Sequence, residues 1–162
     1  AGQHGQTRRQ RLSEYGRQLR EKQEVKAIHG LSEENLRRIF EDAYRKEGDL
    51  AENFLQLLER RIDNVLFRAG FFPSRKAARQ AVVHEHIRLN EKKIKSPSLL
   101  VSEGDVISIN KKLPIKRLPT TEPVPWISVD EKNRKIKILH LPTSAEMKVE
   151  FEKELVIESL SR

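Results

Sequence analysis

The stretch from Phe54 to Ile109 constrains the fold most, because its hydrophobic period changes partway along it. Phe54, Leu58, Ile62, Val65, Leu66 and Ala69 recur at helical spacing and would lie on one face. Gly70 follows at the position where a helix usually ends. Ser74 then caps a short helix to about His84, and its face of Ala77, Ala78, Ala81 and Val82 is small enough to sit close to a neighbour. From Ile87 the texture turns to short β-type runs: 87–89, 93–95, 99–101 and 106–109. Asn90-Glu91, Pro97 and Glu103-Gly104-Asp105 punctuate them. Two helices followed by a compact antiparallel sheet is an α+β arrangement.

The flanks read differently. The first eleven residues are polar and hold the cluster Arg8, Arg9, Arg11, which suggests an extended arm that orders on a partner. A helix with a thin apolar stripe is expected from Ser13 to Gly30. Ser32 starts a better one, with Leu36, Ile39, Phe40, Ala43 and Tyr44 on one face and Gly48 as its stop. Asp49 and Glu52 form a capping box that opens a helix predicted to run unbroken to Ala69. Residues 113–125 carry four prolines and read as an irregular linker. Ile127/Val129 and Ile136/Ile138 alternate around a polar four-residue turn, a β-hairpin. A terminal helix is expected over 152–159. The domain organisation is then a basic arm and helical domain at 1–52, completed by 141–162; a two-helix and sheet module at 53–113; and a linker and hairpin at 114–140 that extend the sheet.

The charge says which partner to look for. Of a net +8, residues 1–30 hold +4 and residues 53–113 hold +6, while 31–52 is acidic at −3 and 114–162 is nearly balanced at +1. Residues 75–95 alone carry seven basic side chains against two acids. Two concentrated basic patches attract a polyanion. Arg75, Lys76 and Arg79 are expected to project from the first turns of their helix, where free N–H groups also favour phosphate. There is no apolar run long enough to cross a membrane, and no signal peptide is expected from the polar first ten residues. The absence of cysteine excludes disulfides, thiolate zinc sites and cysteine catalysis. The chain begins at Ala1 rather than Met, as expected of a processed or truncated product.

No catalytic constellation is present: no phosphate loop, no HExxH, no GxSxG. His84-x-His86 is the one paired-histidine motif and has no third ligand near it in sequence, so no metal site is expected. Glu59 and Asp63 stand at i, i+4 beside Arg60 and Arg61, a pattern of local ion pairing. Tyr15, Tyr44 and Trp126 are expected in the core rather than stacked on bases.

The string LLERRIDNVLFRAGFFPSRKAARQAVVHEHIRLNEKKIKSPSLLVSEGDVISI (57–109) resembles the small RNA-binding module named after small-subunit ribosomal protein four. Glu59, Arg60, Asp63, Asn64, Gly70, Ser74, Arg75, Ala78, Arg79, Gln80, Asn90, Pro97, Ser98, Gly104 and Asp105 carry the match. That module also occurs in pseudouridine synthases, tyrosyl-tRNA synthetases and a heat-shock RNA-binding protein. The flanks GQHGQTRRQRLSEYGRQLREKQEVKAIHG (2–30) and KELVIESLSR (153–162) are similar to the helical domain and closing motif of the ribosomal protein four family itself, of bacterial or organellar type.

The resemblance implies a non-enzymatic primary binder of small-subunit rRNA that nucleates subunit assembly. Its rRNA contacts would come from Arg17, Arg20, Lys22 and Lys26 in the amino-terminal helix and from Arg60, Arg75, Lys76, Arg79, His84 and Lys92 in the module. Arg8, Arg9 and Arg11 match positions at the mRNA entry pore. Ribosomal proteins five and three of the small subunit are the implied neighbours, the former through the carboxy-terminal segment and linked to decoding accuracy. The implied location is the cytoplasmic ribosome of a bacterium, with a mitochondrial or plastid ribosome as the alternative. No cofactor is implied, and without the family's segment before GQHG, which sometimes carries a zinc knuckle, no metal role is expected.

Two departures stand out. Where the family has Gly, this chain has Glu85 and Glu91; Glu at φ > 0 costs about 1 kcal/mol unless the turns are rebuilt. Between Lys112 and Trp126 the family usually has a helix, for which the proline-rich linker is too short and too broken. The competing readings are a free RNA-binding regulatory or stress protein built on the same module, and a truncated pseudouridine synthase, for whose catalytic domain the chain has no room.

Overall fold

A computed structural model describes residues 2–162, with side chains from Ser13 onward. It divides into two compact units, 1–55 with 148–162, and 56–147.

The first unit holds α1 (Gly2–His29), α2 (Glu33–Arg45), the start of α3 (Leu50–Arg60) and α6 (Lys153–Leu160). The bounds of α1 take in residues 2–11, so this stretch is helical and not the extended arm its polar composition suggests. The Arg8, Arg9 and Arg11 side chains lie outside the described residues. Gly30, at φ 64°, ends α1 as expected. The Ser32 hydroxyl accepts from Asn35 N at 3.1 Å and starts α2, and Asp49 Oδ1 accepts from Glu52 N at 2.9 Å at the start of α3. The α2 stripe is shallower than its spacing implied: Leu36 and Ala43 are buried, whereas Tyr44 is exposed. Tyr15 is also exposed, so of the three rings expected inside only Trp126, in the second unit, is buried. Helix α6 packs along α1. Gln18 Nε2 donates to Glu158 at 2.8 Å, Arg162 Nε donates to Gln18 Oε1 at 2.7 Å, and the Arg162 guanidinium lies over the Tyr15 ring.

The second unit holds the rest of α3, α4 (Ile62–Arg68), α5 (Arg75–Val83), and strands β1 (Ile87–Leu89), β2 (Lys92–Lys93), β3 (Val106–Ile109), β4 (Ile127–Asp130) and β5 (Lys135–Ile138). The helix predicted to run unbroken to Ala69 breaks at Arg61, which is extended at φ −61°, ψ 137°. The cause is a competing backbone partner: Ile62 N donates to Leu99 O at 2.8 Å, and Val101 N donates to Arg60 O at 3.0 Å. Residues 99–101 therefore make this local pairing and not the strand predicted there. The five strands form one antiparallel sheet in the order β2-β1-β3-β5-β4. The β4–β5 hairpin extends the module's own sheet through β3.

The sheet is half-buried, and its alternation sets the core. Ile87, Ile107, Ile109, Ile136 and Ile138 face Ile62, Val65, Leu66, Ala78 and Val82 of the helices, with Trp126 alongside. The linker forms no helix, as its prolines predict, but it is tied down. Arg134 donates to the carbonyls of Asn110, Leu113 and Ile115 at 2.7–2.8 Å, and Arg117 donates to Ala69 O at 2.8 Å. Leu113, Ile115 and Val124 pack on the core's edge. A 3-10 turn at Ser144–Glu146, which the sequence did not suggest, is held by Thr143 and His140 on the Glu146 carboxylate.

Candidate nucleic-acid interface

A buried polar network lies under the basic window and decides which of its cations face outward. Asp63, almost fully buried, accepts from Arg61 Nη2 at 3.0 Å and from Arg79 Nη2 at 3.2 Å. Glu59, also buried, accepts from Arg68 Nη2 at 2.9 Å and from Asn64 Nδ2 at 3.0 Å. Asn64 Oδ1 in turn accepts from Arg75 Nε at 2.9 Å. The ion pairing expected around Glu59 and Asp63 is present, but it reaches across α3, α4 and α5. Charges this deep need partners, since an unpaired one costs several kcal/mol, about 3–5.

Arg75 does not project from the first turn of α5: it is buried, with its guanidinium 4.5 Å from the centre of the Phe67 ring. Ser74 Oγ accepts from Ala77 N at 3.1 Å, which fixes where α5 begins. That start turns Arg75 inward and Lys76 outward. Lys76, Gln80, Val83 and His84 form the exposed face of α5, at i, i+4, i+7 and i+8. Arg79 is half-buried against Asp63. Arg60 is half-buried, donates to Val101 O at 2.9 Å, and is pulled below the usual arginine range by burial, with Asp105 opposing the shift. His84 and His86 stand edge to face, 6.4 Å apart. Lys92 is exposed on β2 just after the β1–β2 turn. Asn90 and Glu91 in that turn, and Glu85 before β1, all have positive φ, at 50°, 70° and 63°. The glutamates therefore adopt the strained conformation and the turns are not rebuilt.

In the first unit, Lys22 is buried and Lys26 half-buried, both on Glu33, at 2.8 and 3.1 Å. The Lys22 hydrogen bond is the main reason the Glu33 carboxyl is held down at about 2. Arg17 is exposed, 3.6 Å from Glu152, and Arg20 is exposed. Among the described residues no cluster of His, Asp and Glu could hold a metal, and no helix is long and apolar enough to cross a membrane.

Two consecutive stretches of the chain match separate family models: the ribosomal protein S4/S9 N-terminal domain over residues 1–59 and the S4 domain over residues 60–107. The small ribosomal subunit protein uS4 of Chlorobium luteolum is 41% identical over 99% of this chain and 83% of its own length. That of Caldicellulosiruptor saccharolyticus is 44% identical over 99% of this chain and 81% of its own length. The chain belongs to the uS4 family. This is a family of ribosomal proteins, not of enzymes, and residues 60–107 are its S4 RNA-binding domain. The polar network therefore sits at the centre of an S4 domain, with Lys76, His84 and Lys92 on its surface.

Sequence reasoning missed the inward turn of Arg75 and Lys22. A signal for Arg75 existed: it follows the capping Ser74 directly, whereas the exposed face is set by Lys76 and Gln80. It counts Arg88 and Lys93 only within the basic window 75–95 and Lys135 and Lys137 only within a strand, although each alternates with apolar strand residues in the sequence.

Proposed function

We propose that this chain is a structural protein of the small ribosomal subunit that binds small-subunit rRNA directly and early, so nucleating assembly. The observation that carries the reading is the match to uS4 proteins along 99% of the chain. The geometry supports it, because Lys76, His84 and Lys92 are exposed while Glu59 and Asp63 are buried and paired inside. In this reading Lys76, His84 and Lys92 touch rRNA, with Arg79 and Arg60 contributing their outer edges. Arg17, Arg20 and Lys26 do the same on the helical unit. Arg75 and Lys22 act indirectly, by holding the elements that carry the others. Arg8, Arg9 and Arg11 lie at the mRNA entry side, and the neighbours are ribosomal proteins five and three. The carboxy-terminal segment contacts protein five and so bears on decoding accuracy. The bacterial relatives support a bacterial-type ribosome.

The test is sedimentation of a cell extract through a sucrose gradient. Stoichiometric presence with small subunits is expected. A protein found apart from small subunits would be a free RNA-binding regulator.

A further inference from the structure

The face of the sheet turned away from α4 and α5 carries a basic row that neither the core nor the helix-side surface uses. Strand register places Lys93, Arg88, Ser108, Lys135 and Asp130 side by side across β2, β1, β3, β5 and β4. Directly paired residues point to the same face, and Arg88, Lys93 and Lys135 are all exposed. Lys137 stands in the next row on the same side, opposite Ser128. Neither Lys93 nor Lys137 has a carboxylate within 4.0 Å among the described residues, and Asp130, the acid at the end of the row, is engaged by Asn133. Arg88 faces Lys93 directly, and like charges in that position destabilise a sheet. An external anion removes that cost. Beside them is a depression of about 240 Å³, lined by Glu85, His86, Arg88, Lys93, Ser108 and Asn110, with Glu85 paired to Lys95 at 3.5 Å.

We propose that this outer face is a second RNA site, which takes the phosphate backbone of a double-helical segment and leaves the S4 domain between two RNA elements. The four cations and two serine hydroxyls suit phosphates and 2′-hydroxyls. Neighbouring strands about 4.8 Å apart spread the cations from β2 to β5 over roughly 14 Å, enough for several phosphates. No Phe, Tyr or Trp lies in either row, so the stacking platform that single-stranded RNA needs is missing. The site goes beyond the helix-side contacts proposed above and does not depend on them.

The experiment uses the full chain and its variant Arg88→Gln, Lys93→Gln, Lys135→Gln, Lys137→Gln. The probes are a 20-base-pair RNA duplex of mixed sequence, a 20-nucleotide oligouridylate and polyglutamate. Duplex affinity of the variant should fall at least tenfold at 0.1 M salt, and the slope of log K against log salt should shrink by about 3 to 4. Lys76→Gln, on the helix side, should change that slope by about 1 at most. An unchanged duplex affinity and slope in the fourfold variant overturns the proposal. So does tighter binding of polyglutamate than of duplex, which would make the face a protein-docking surface, or preference for oligouridylate. If the fourfold variant loses thermal stability, Lys93→Gln and Lys137→Gln singly carry the test, each with a slope change of about 1. Loss of small-subunit rRNA specificity in the wild-type chain with the duplex slope intact would count against the proposed function and leave this site standing.

Discussion

Arg75 Nε donates a 2.9 Å hydrogen bond to Asn64 Oδ1, so the first basic residue of α5 is part of the buried network and not of the exposed face. Lys76, one residue on, is exposed. Two neighbouring cations thus differ in burial, so stability and the proposed binding can be tested apart.

Arg75→Met keeps most of the volume and removes the donor. It should cost about 1–3 kcal/mol of unfolding free energy, because the Asn64 oxygen loses its partner in a buried site. Lys76→Gln should change stability by less than about 0.5 kcal/mol while weakening rRNA binding. Urea unfolding paired with filter binding separates the two effects, and an rRNA defect in Arg75→Met without a stability loss would contradict the assignment.

Glu85 and Glu91 sit at φ 63° and 70°. Replacing either by Gly should raise stability by about 1 kcal/mol, since Gly reaches that region without a Cβ clash. The single exposed ion pair of Glu85 with Lys95 offsets little of the gain. Thermal unfolding of the two single variants is the check, and a fall in midpoint would mean the turns are not strained.

Gly70 combines φ 89° with close approach of the linker: a Cβ there would fall on the Thr121 side chain. Leu118 N also donates to Gly70 O at 2.8 Å. Gly70→Ala should therefore destabilise the protein by more than about 1 kcal/mol, and Thr121→Gly should recover only the steric part. Complete recovery in the double variant would show that φ carries no cost.

These positions also show what the sequence made legible. The stripe from Phe54 to Ala69 and the alternation of Ile136 and Ile138 predicted the buried faces correctly, because burial follows directly from period. The break at Arg61 was hidden, because it depends on Leu99 and Val101, nearly forty residues away, offering backbone partners. Arg75 was misjudged although the Ser74 cap was legible. A run of basic residues gives charge, but only the exact start of α5 says which of them turns toward Asn64. Arg134, whose guanidinium holds three linker carbonyls, left no local signal at all.

Glu33 makes acid stability testable. Its folded carboxyl is held at about 2, below the ordinary value of 4.5, chiefly by Lys22. A depressed folded pKa adds stability that is fully present above 4.5 and is lost as pH falls toward about 2. Glu33→Gln should flatten the decline of the urea midpoint across that window. The effect will be modest, because the side chain is 38% exposed. An identical pH profile in wild type and variant would contradict it.

Binding of the purified chain to protein-free small-subunit rRNA, titrated over salt, tests the central claim most directly. The account predicts binding without any other ribosomal protein, a clear preference over an unrelated RNA of equal length, and a log–log salt slope of about −4 or steeper. Affinity that is independent of salt, equal for both RNAs, or present only after other ribosomal proteins have bound would contradict it.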